Sequence, residues 1–269
     1  MVDLMRSLYT NSAPTVASSF KDVPLASRDV SITYIRTKLI TQLLPMPPTP
    51  SADENFLILL VILNEIIVYT NLCPRKHVRI NDSSVDGSVS SRSGSSEDSF
   101  TPLSHGNEIL RARKSLIRVL DAWIAAYGIS NGPERLLVYN FSKLYVSFPE
   151  LHLLPVAAGF KRDGGHTPDP EATTVHFVDM DDQLVAEISH YAWLILENTT
   201  ACKGFRPIWC PIVTFSAALV IWMCTQVQGK FQKARGSLVV LRLFKTELEK
   251  MPWLCAADMA KFLEQLASE

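Results

Sequence analysis

Cys73 and His77 have the residue types and the spacing of half a zinc site, because such sites are assembled from short local pairs of Cys and His. A complete site needs four ligands, and a second pair is missing from the sequence. Cys202 and Cys210 lie eight residues apart, with no His close to them. The pattern favours structural residues, and we predict that the chain holds no metal.

Two other groups contain ligand-type residues without the partners that their chemistry needs. Asp179, Asp181 and Asp182 supply carboxylates, but a calcium loop also requires a glycine turn and a distal Glu. We expect these aspartates to cap and charge the start of a helix. The Gly-Gly-His run at 164–166 lacks the flanking strand, the glycine spacing and the helix start of a dinucleotide site, so it predicts a loop.

Nucleophilic catalysis also has no recognisable pattern in the sequence. There is no Gly-x-Ser-x-Gly turn, and no histidine has an evident Ser or Cys nucleophile beside it. The six histidines are His77, His105, His152, His166, His176 and His190. We therefore predict a protein that is not an enzyme, with no catalytic residue and no cofactor.

Four tryptophans in the C-terminal half invite either of two interpretations. Buried aromatic side chains supply large apolar area at little entropic cost, which favours a core role. Apolar pockets for small molecules and grooves for partners use the same residues. Trp193, Trp209 and Trp222 are our candidates for the wall of an effector or partner pocket, and Trp253 completes the set.

The composition indicates a folded chain without a strong charge. The sequence has 269 residues, of which 47% are hydrophobic and 20% charged, and this suffices for a large core. The formal net charge of −1 argues against broad binding to nucleic acid, which requires a basic face. Five scattered cysteines and a charged N-terminus without an apolar run favour a reducing compartment and buried thiols.

Helical periodicity predicts an all-α bundle of about eight helices. We divide the chain into an irregular N-terminus at 1–26, N-terminal helices at 27–80, a disordered Ser-rich insertion at 81–104 and a main helical domain at 105–269. The predicted helices cover 27–44, 56–72, 109–127, 133–148, 183–199, 208–227, a stretch that contains Leu238 to Leu248, and 256–267. No alternation with a period of two is sustained, so no substantial sheet is expected.

The apolar run at 208–227 permits a second interpretation. Its length is close to the ~20 residues that cross a bilayer, and Arg206 and Lys230 flank it. Pro211, Thr214 and Ser216 interrupt the run, and buried helices of globular proteins have the same composition. A helical membrane-associated protein is therefore the alternative to a globular bundle.

Three stretches near the C-terminus resemble the last helices of the fungal-specific transcription factor domain, as found in C2H2-type fungal regulators. They are His190-Tyr191-Ala192-Trp193 with Leu196-Glu197, Pro207-Ile208-Trp209-Cys210-Pro211 followed by the segment 215–222, and Met251-Pro252-Trp253-Leu254-Cys255 followed by the segment 256–260. The apolar helix at 56–72 is similar to a helix in the middle of that domain. The resemblance covers about 180 residues and is strongest after Asp179.

The resemblance implies an all-α regulatory domain that works in the nucleus and controls transcription. It also implies other transcription regulators, or a second copy of the chain, as partners. In that family zinc belongs to an N-terminal DNA-binding module, and this sequence contains no paired Cys/His spacing of a finger. We therefore expect the chain to be part of, or derived from, a zinc-finger transcription factor, and to reach DNA through that module or a partner.

Overall fold

Eight α-helices dominate the part of the chain that the computed structural model describes, which is residues 52–72, 78–82, 105–128, 132–160, 173–177, 180–204, 206–228 and 235–268. The helices are α1 (Ala52–Leu72), α2 (His105–Tyr127), α3 (Pro133–Ser147), α4 (Leu154–Ala157), α5 (Asp182–Ala201), α6 (Cys210–Gln228), α7 (Arg235–Glu249) and α8 (Leu254–Leu266). A 3-10 helix, Pro149–Leu153, leads into α4. The prediction of an all-α bundle is confirmed.

Helix α1 is buried because it packs against both α2 and α3. Helix α1 is apolar almost all round, and within 55–70 only Val68 is largely exposed. The indole Nε1 of Trp123 on α2 donates a hydrogen bond of 3.2 Å to the backbone oxygen of Asn55 on α1. Trp123 is fully buried, so this bond satisfies its only polar group.

Helix α3 begins where the sequence predicts, at Pro133 in the first helical position after Gly132. Its predicted apolar face is buried throughout, at Leu137, Phe141, Leu144, Tyr145 and, just beyond the helix, Phe148. This face packs on α1 and, most extensively, on α5.

The C-terminal third contains the four helices that the periodicity predicts, and each packs on the next in chain order. Helix α6 also contacts α8 and α4, so other helices surround it. The helical period places Leu238 on the same face of α7 as Leu241, Phe244 and Leu248, and the prediction that all four are buried is wrong for one of them. Leu238 in α7 is 41% exposed, whereas Leu241, Phe244 and Leu248 are buried. The buried face of α7, which packs on α6 and α8, therefore begins at Leu241.

A two-stranded antiparallel ribbon, β1 (Val78–Asp82) with β2 (Thr173–Phe177), accompanies the helices, and the sequence analysis did not predict it. Val78 pairs with Phe177, and Asp82 pairs with Thr173. Each strand has five residues, and the apolar and polar types alternate only briefly, over 78–81 and 175–177, before the pattern ends. The ring of Phe177 lies 6.1 Å from that of Phe148, and this contact attaches the ribbon to the end of α3.

Several predictions concern residues outside the described ranges. These are the irregular segment at 1–26, the helix at 27–44 and the loop around 164–166. Of the Ser-rich insertion at 81–104, residues 81 and 82 belong to β1 and the others are not described.

A buried ion pair joins the connection between α5 and α6 to the end of α7. The Arg206 guanidinium donates 2.8 Å hydrogen bonds from Nη2 to Oε2 of Glu247 and from Nη1 to the Glu247 backbone oxygen. Lys250 Nζ donates to the other carboxylate oxygen at 2.6 Å. Trp253 Nε1 donates to the Arg206 backbone oxygen at 3.2 Å. Both members of the pair are more than 90% buried, so each needs the other.

We expect Glu247→Met to lower the free energy of unfolding by about 3–5 kcal/mol, because it leaves the Arg206 charge buried with a single backbone acceptor. Denaturant titration followed by circular dichroism measures the change. Thr246→Ala, at the exposed neighbouring position, is the matched control and should stay within about 0.5 kcal/mol of the parent.

The double variant Arg206→Met/Glu247→Met should recover part of the loss, because no unpaired charge then remains in the interior. Equal midpoints for Glu247→Met and Thr246→Ala would show that the ion pair contributes nothing to stability.

Candidate functional site: an apolar cavity

An apolar cavity of about 230 Å³ opens between α3, the 3-10 helix with α4, and α6. Most of its lining side chains are apolar. The residues that line it are Phe141, Tyr145, Leu151, His152, Pro155, Val156, Phe160, Ile212, Phe215 and Ser216.

The inner end of the cavity is rigid and its mouth is accessible. Phe141, Tyr145 and Phe215 are at most 3% exposed, so the core holds them in place. Val156, by contrast, is 51% exposed. A molecule that enters past Val156 therefore meets fixed aromatic rings.

A glycine C-cap shapes one wall of the cavity. Gly159 follows α4 with φ of +81°, in the left-handed region that favours glycine. The Phe160 amide donates to the Pro155 oxygen at 2.8 Å, and the Gly159 amide donates to the Val156 oxygen at 3.0 Å. These two bonds form a Schellman motif, which folds the chain back so that Phe160 and Pro155 both face the cavity.

Phe160 also connects the cavity wall to two distant helices. Its ring centroid lies 4.9 Å from that of Phe215 on α6 and 5.0 Å from that of Phe262 on α8. The rings of Phe215 and Phe262 lie 6.1 Å apart. The three rings meet at steep angles, which is the favourable arrangement for aromatic quadrupoles.

The polar groups at the cavity are few and suited to hydrogen bonding rather than to charge. His152 Nδ1 lies 3.0 Å from the Pro149 backbone oxygen, so this nitrogen carries the proton. Burial raises the pKa of the Tyr145 phenol far above its usual value, and a hydrogen bond with Thr70 opposes this only in part. The phenol therefore stays neutral at physiological pH and is no base. The site can bind a molecule, and its groups do not indicate proton transfer.

A second group of polar side chains lies between α2, α3 and α5. Lys143, which is 5% exposed, forms an ion pair with Asp121. Ser147 Oγ donates a 2.6 Å hydrogen bond to Glu187. These contacts join three helices, and they account for the buried Lys143 without a substrate.

Two tyrosines beside this cluster have raised pKa values. For Tyr139 the cause is burial first and then the charge of Asp121, and for Tyr191 it is burial, then the charges of Glu187 and Asp121. Both phenols stay protonated at neutral pH. A catalytic tyrosine base needs the opposite shift, so the cluster is better explained as a structural contact.

The three tryptophans that the sequence analysis nominated are not brought together. Trp193 on α5 is 40% exposed, Trp209 is buried at the start of α6, and Trp222 is half-buried further along α6. At ~1.5 Å and ~100° per residue, Trp209 and Trp222 stand ~20 Å apart along α6 and ~140° apart around it. They therefore face different sides of the helix, and the cavity described above has other walls.

The predicted role of Asp181 is confirmed, because its carboxylate caps α5 by accepting a 3.3 Å hydrogen bond from the Gln183 amide. Asp182 lies in the first turn, as predicted. Asp179, Cys73, His77 and the run at 164–166 lie outside the described residues. Within the described ranges, no group of three or more His, Cys, Asp or Glu side chains is placed to hold a metal.

Of the four described cysteines, Cys202, Cys210 and Cys224 are buried, whereas Cys255 is exposed, contrary to the expectation of buried thiols. Burial raises the pKa of Cys210 and of Cys224 to about 11. Cys255 is exposed because it lies in the first turn of α8, next to the strongly exposed Leu254.

Comparison with known proteins gives no relative for this chain: no family model matches, and neither a curated protein nor a solved structure matches significantly. The resemblance to the fungal regulatory domain therefore rests on the stretches quoted above and stays a prediction.

The sequence analysis missed the cavity, although one signal for it was present. The predicted helices do not include the apolar segment from Leu151 to Phe160. Gly159 followed by Phe160 has the pattern of a helix C-cap with its hydrophobic contact. The facing residues on α3 and α6 occupy ordinary core positions, and only the tertiary structure leaves space between them.

We expect iodoacetamide to modify Cys255 at least tenfold faster than Cys202, Cys210 or Cys224 in the folded chain, because Cys255 is exposed whereas the other three thiols are buried and shielded from the reagent. Peptide mass spectrometry after timed quenching measures each site separately. In denaturant the four rates should converge, and this sample is the control. Similar rates in the folded protein would contradict the burial of the three thiols.

Proposed function

We propose that this chain is a transcription-regulatory module of the kind found in fungal zinc-finger transcription factors. It acts in the nucleus through protein partners, either other regulators or a second copy, and it responds to a small-molecule effector. DNA recognition belongs to an N-terminal module or to a partner.

The observation that carries this proposal is the way the three resembling stretches pack into one helical unit. The first lies on α5, which packs on α6, and Thr199 and Thr214 share a 3.2 Å hydrogen bond between these helices. The third stretch is joined to the start of the second, because Trp253 donates a hydrogen bond to the backbone oxygen of Arg206, the residue before Pro207. The three stretches therefore belong to one folded unit, as a single regulatory domain requires.

The cavity supplies a physical route for an effector. Its walls come from α3, α4 and α6, and the second stretch contributes Phe215 and Ser216. A bound molecule shifts an equilibrium between two arrangements of these helices by as much as its affinities for the two arrangements differ. Partner binding at the surface is then coupled to occupancy of the cavity.

Tethering the chain to a promoter tests the proposal. The full chain, fused to a heterologous DNA-binding domain, should change the output of a reporter that carries the cognate sites at least threefold. The DNA-binding domain alone is the first control. The fusion with Glu247→Met, whose core is weakened, is the second, and it should lose most of the effect if the folded bundle is what regulates.

Immunoblots must show equal amounts of the parent and Thr246→Ala fusions, and Thr246→Ala should act like the parent. Reporter output that does not differ between the parent fusion and the DNA-binding domain alone would overturn the proposed function.

Helix α6 favours one alternative, a membrane-associated helical protein. In the described part of the chain, Cys210–Val227 is the one helix long and apolar enough to cross a bilayer. However, 61% of this window is already buried by other helices, and core helices of globular proteins have the same length and composition. Extraction of the chain from membranes only by detergent, and not by alkaline carbonate, would favour the alternative.

A further inference from the structure

We infer that the cavity between α3, α4 and α6 binds a neutral, planar aromatic molecule of bicyclic size that carries one hydrogen-bond donor. The inference deepens the proposed function, on which its regulatory meaning rests, by naming the chemical class of the effector. Four properties of the cavity lead to it, namely its volume, its charge, its aromatic lining and its polar groups.

The volume sets the size of the molecule. A dry cavity of ~150 Å³ in a protein core holds one benzene ring. The cavity here is about 230 Å³, which suits two fused rings and is below the ~300 Å³ at which pockets for larger ligands begin. A single ring would leave part of the wall without contacts, whereas two fused rings reach the buried Phe141 and Phe215 at the inner end.

The lining sets the charge. Among the described residues that line the cavity, none is Asp, Glu, Lys or Arg. A carboxylate or an ammonium group would lose its hydration at the inner end of the cavity and find no opposite charge among these residues. The molecule is therefore neutral.

Four aromatic side chains, Phe141, Tyr145, Phe160 and Phe215, favour a flat aromatic molecule over an aliphatic chain. Phe160 and Phe215 already pack with a centroid distance of 4.9 Å at an angle of 53°. A planar guest extends this cluster through further edge-to-face contacts, which add to the stabilisation from buried area.

The polar groups set the hydrogen bonding. His152 already uses Nδ1 in a 3.0 Å hydrogen bond with the Pro149 oxygen. Ser216 contributes a hydroxyl that accepts or donates. A phenol-like O–H or an indole-like N–H on the guest matches the Ser216 hydroxyl as an acceptor, so one donor group orients the molecule within the cavity.

Calorimetric titration of the purified full chain with 2-naphthol tests the inference, and 2-naphthoate is the charged analogue of equal ring size. We expect saturable binding of 2-naphthol and at least tenfold weaker binding of 2-naphthoate. Equal or tighter binding of the carboxylate would overturn the assignment of a neutral ligand, and no saturable binding of 2-naphthol would overturn the site.

Two variants of matched chemistry locate the binding. Val156→Trp places a large side chain at the mouth of the cavity and should weaken 2-naphthol at least tenfold. Val239→Trp makes the same change on α7, at a position of similar exposure outside the cavity lining, and should leave the affinity within twofold. Equal loss in both variants, or loss in neither, would show that the molecule binds elsewhere.

Gly159→Ala provides a variant of a different kind. It strains the left-handed C-cap that turns Phe160 into the wall, and should weaken 2-naphthol several-fold while circular dichroism shows retained helix. Unchanged affinity in this folded variant would remove Phe160 from the site.

The outcomes for the site and for the proposed function are separable. If 2-naphthol binds and the variants change its affinity as expected, but the promoter fusion is inactive, the binding site is retained and the regulatory function is overturned. If the fusion is active and 2-naphthol does not bind, the regulatory function is retained and the binding site is overturned.

Discussion

The buried pair of Arg206 and Glu247 is the constraint on which the C-terminal half of the molecule depends. A guanidinium and a carboxylate that are each more than 90% buried are tolerated only when their geometry satisfies both. Here Arg206 uses one nitrogen for the carboxylate and another for the backbone oxygen at the end of α7. The connection between α5 and α6 is therefore fixed to the turn before α8, and the start of α6 follows immediately from that position.

Helix α6 connects the buried ion pair to the cavity. Its first turns carry Ile212, Phe215 and Ser216, which line the cavity, and its start lies only a few residues after Arg206. Because other helices surround α6, the side chains that face α3 and α4 cannot move independently of those that face α7 and α8. The cavity beside Phe215 therefore depends on the packing of all these helices and not on the conformation of one loop.

Much of this fold was predictable from the sequence, because a period of 3.6 is a local property. Pro133 marked the start of α3, and Asp181 and Asp182 marked the start of α5. The ribbon was not predictable, since its two strands are short and their pairing joins Val78 to Phe177 across nearly a hundred residues. The placement of the nominated tryptophans was not predictable for a related reason. Trp209 and Trp222 belong to one apolar segment of the sequence, but helical geometry turns them to different sides of α6.

A chain of contacts connects the cavity to the ion pair of Arg206 and Glu247. Phe160 touches both Phe215 on α6 and Phe262 on α8, and α8 begins one residue after Trp253, which is hydrogen-bonded to Arg206. If the cavity binds the inferred guest, contacts with Phe160 reach α8 through Phe262 and α6 through Phe215. Both helices lead back to the buried pair, whose geometry allows little adjustment. Coupling of this kind requires two discrete arrangements of packed side chains, and the cluster of Phe160, Phe215 and Phe262 is where we expect them to differ.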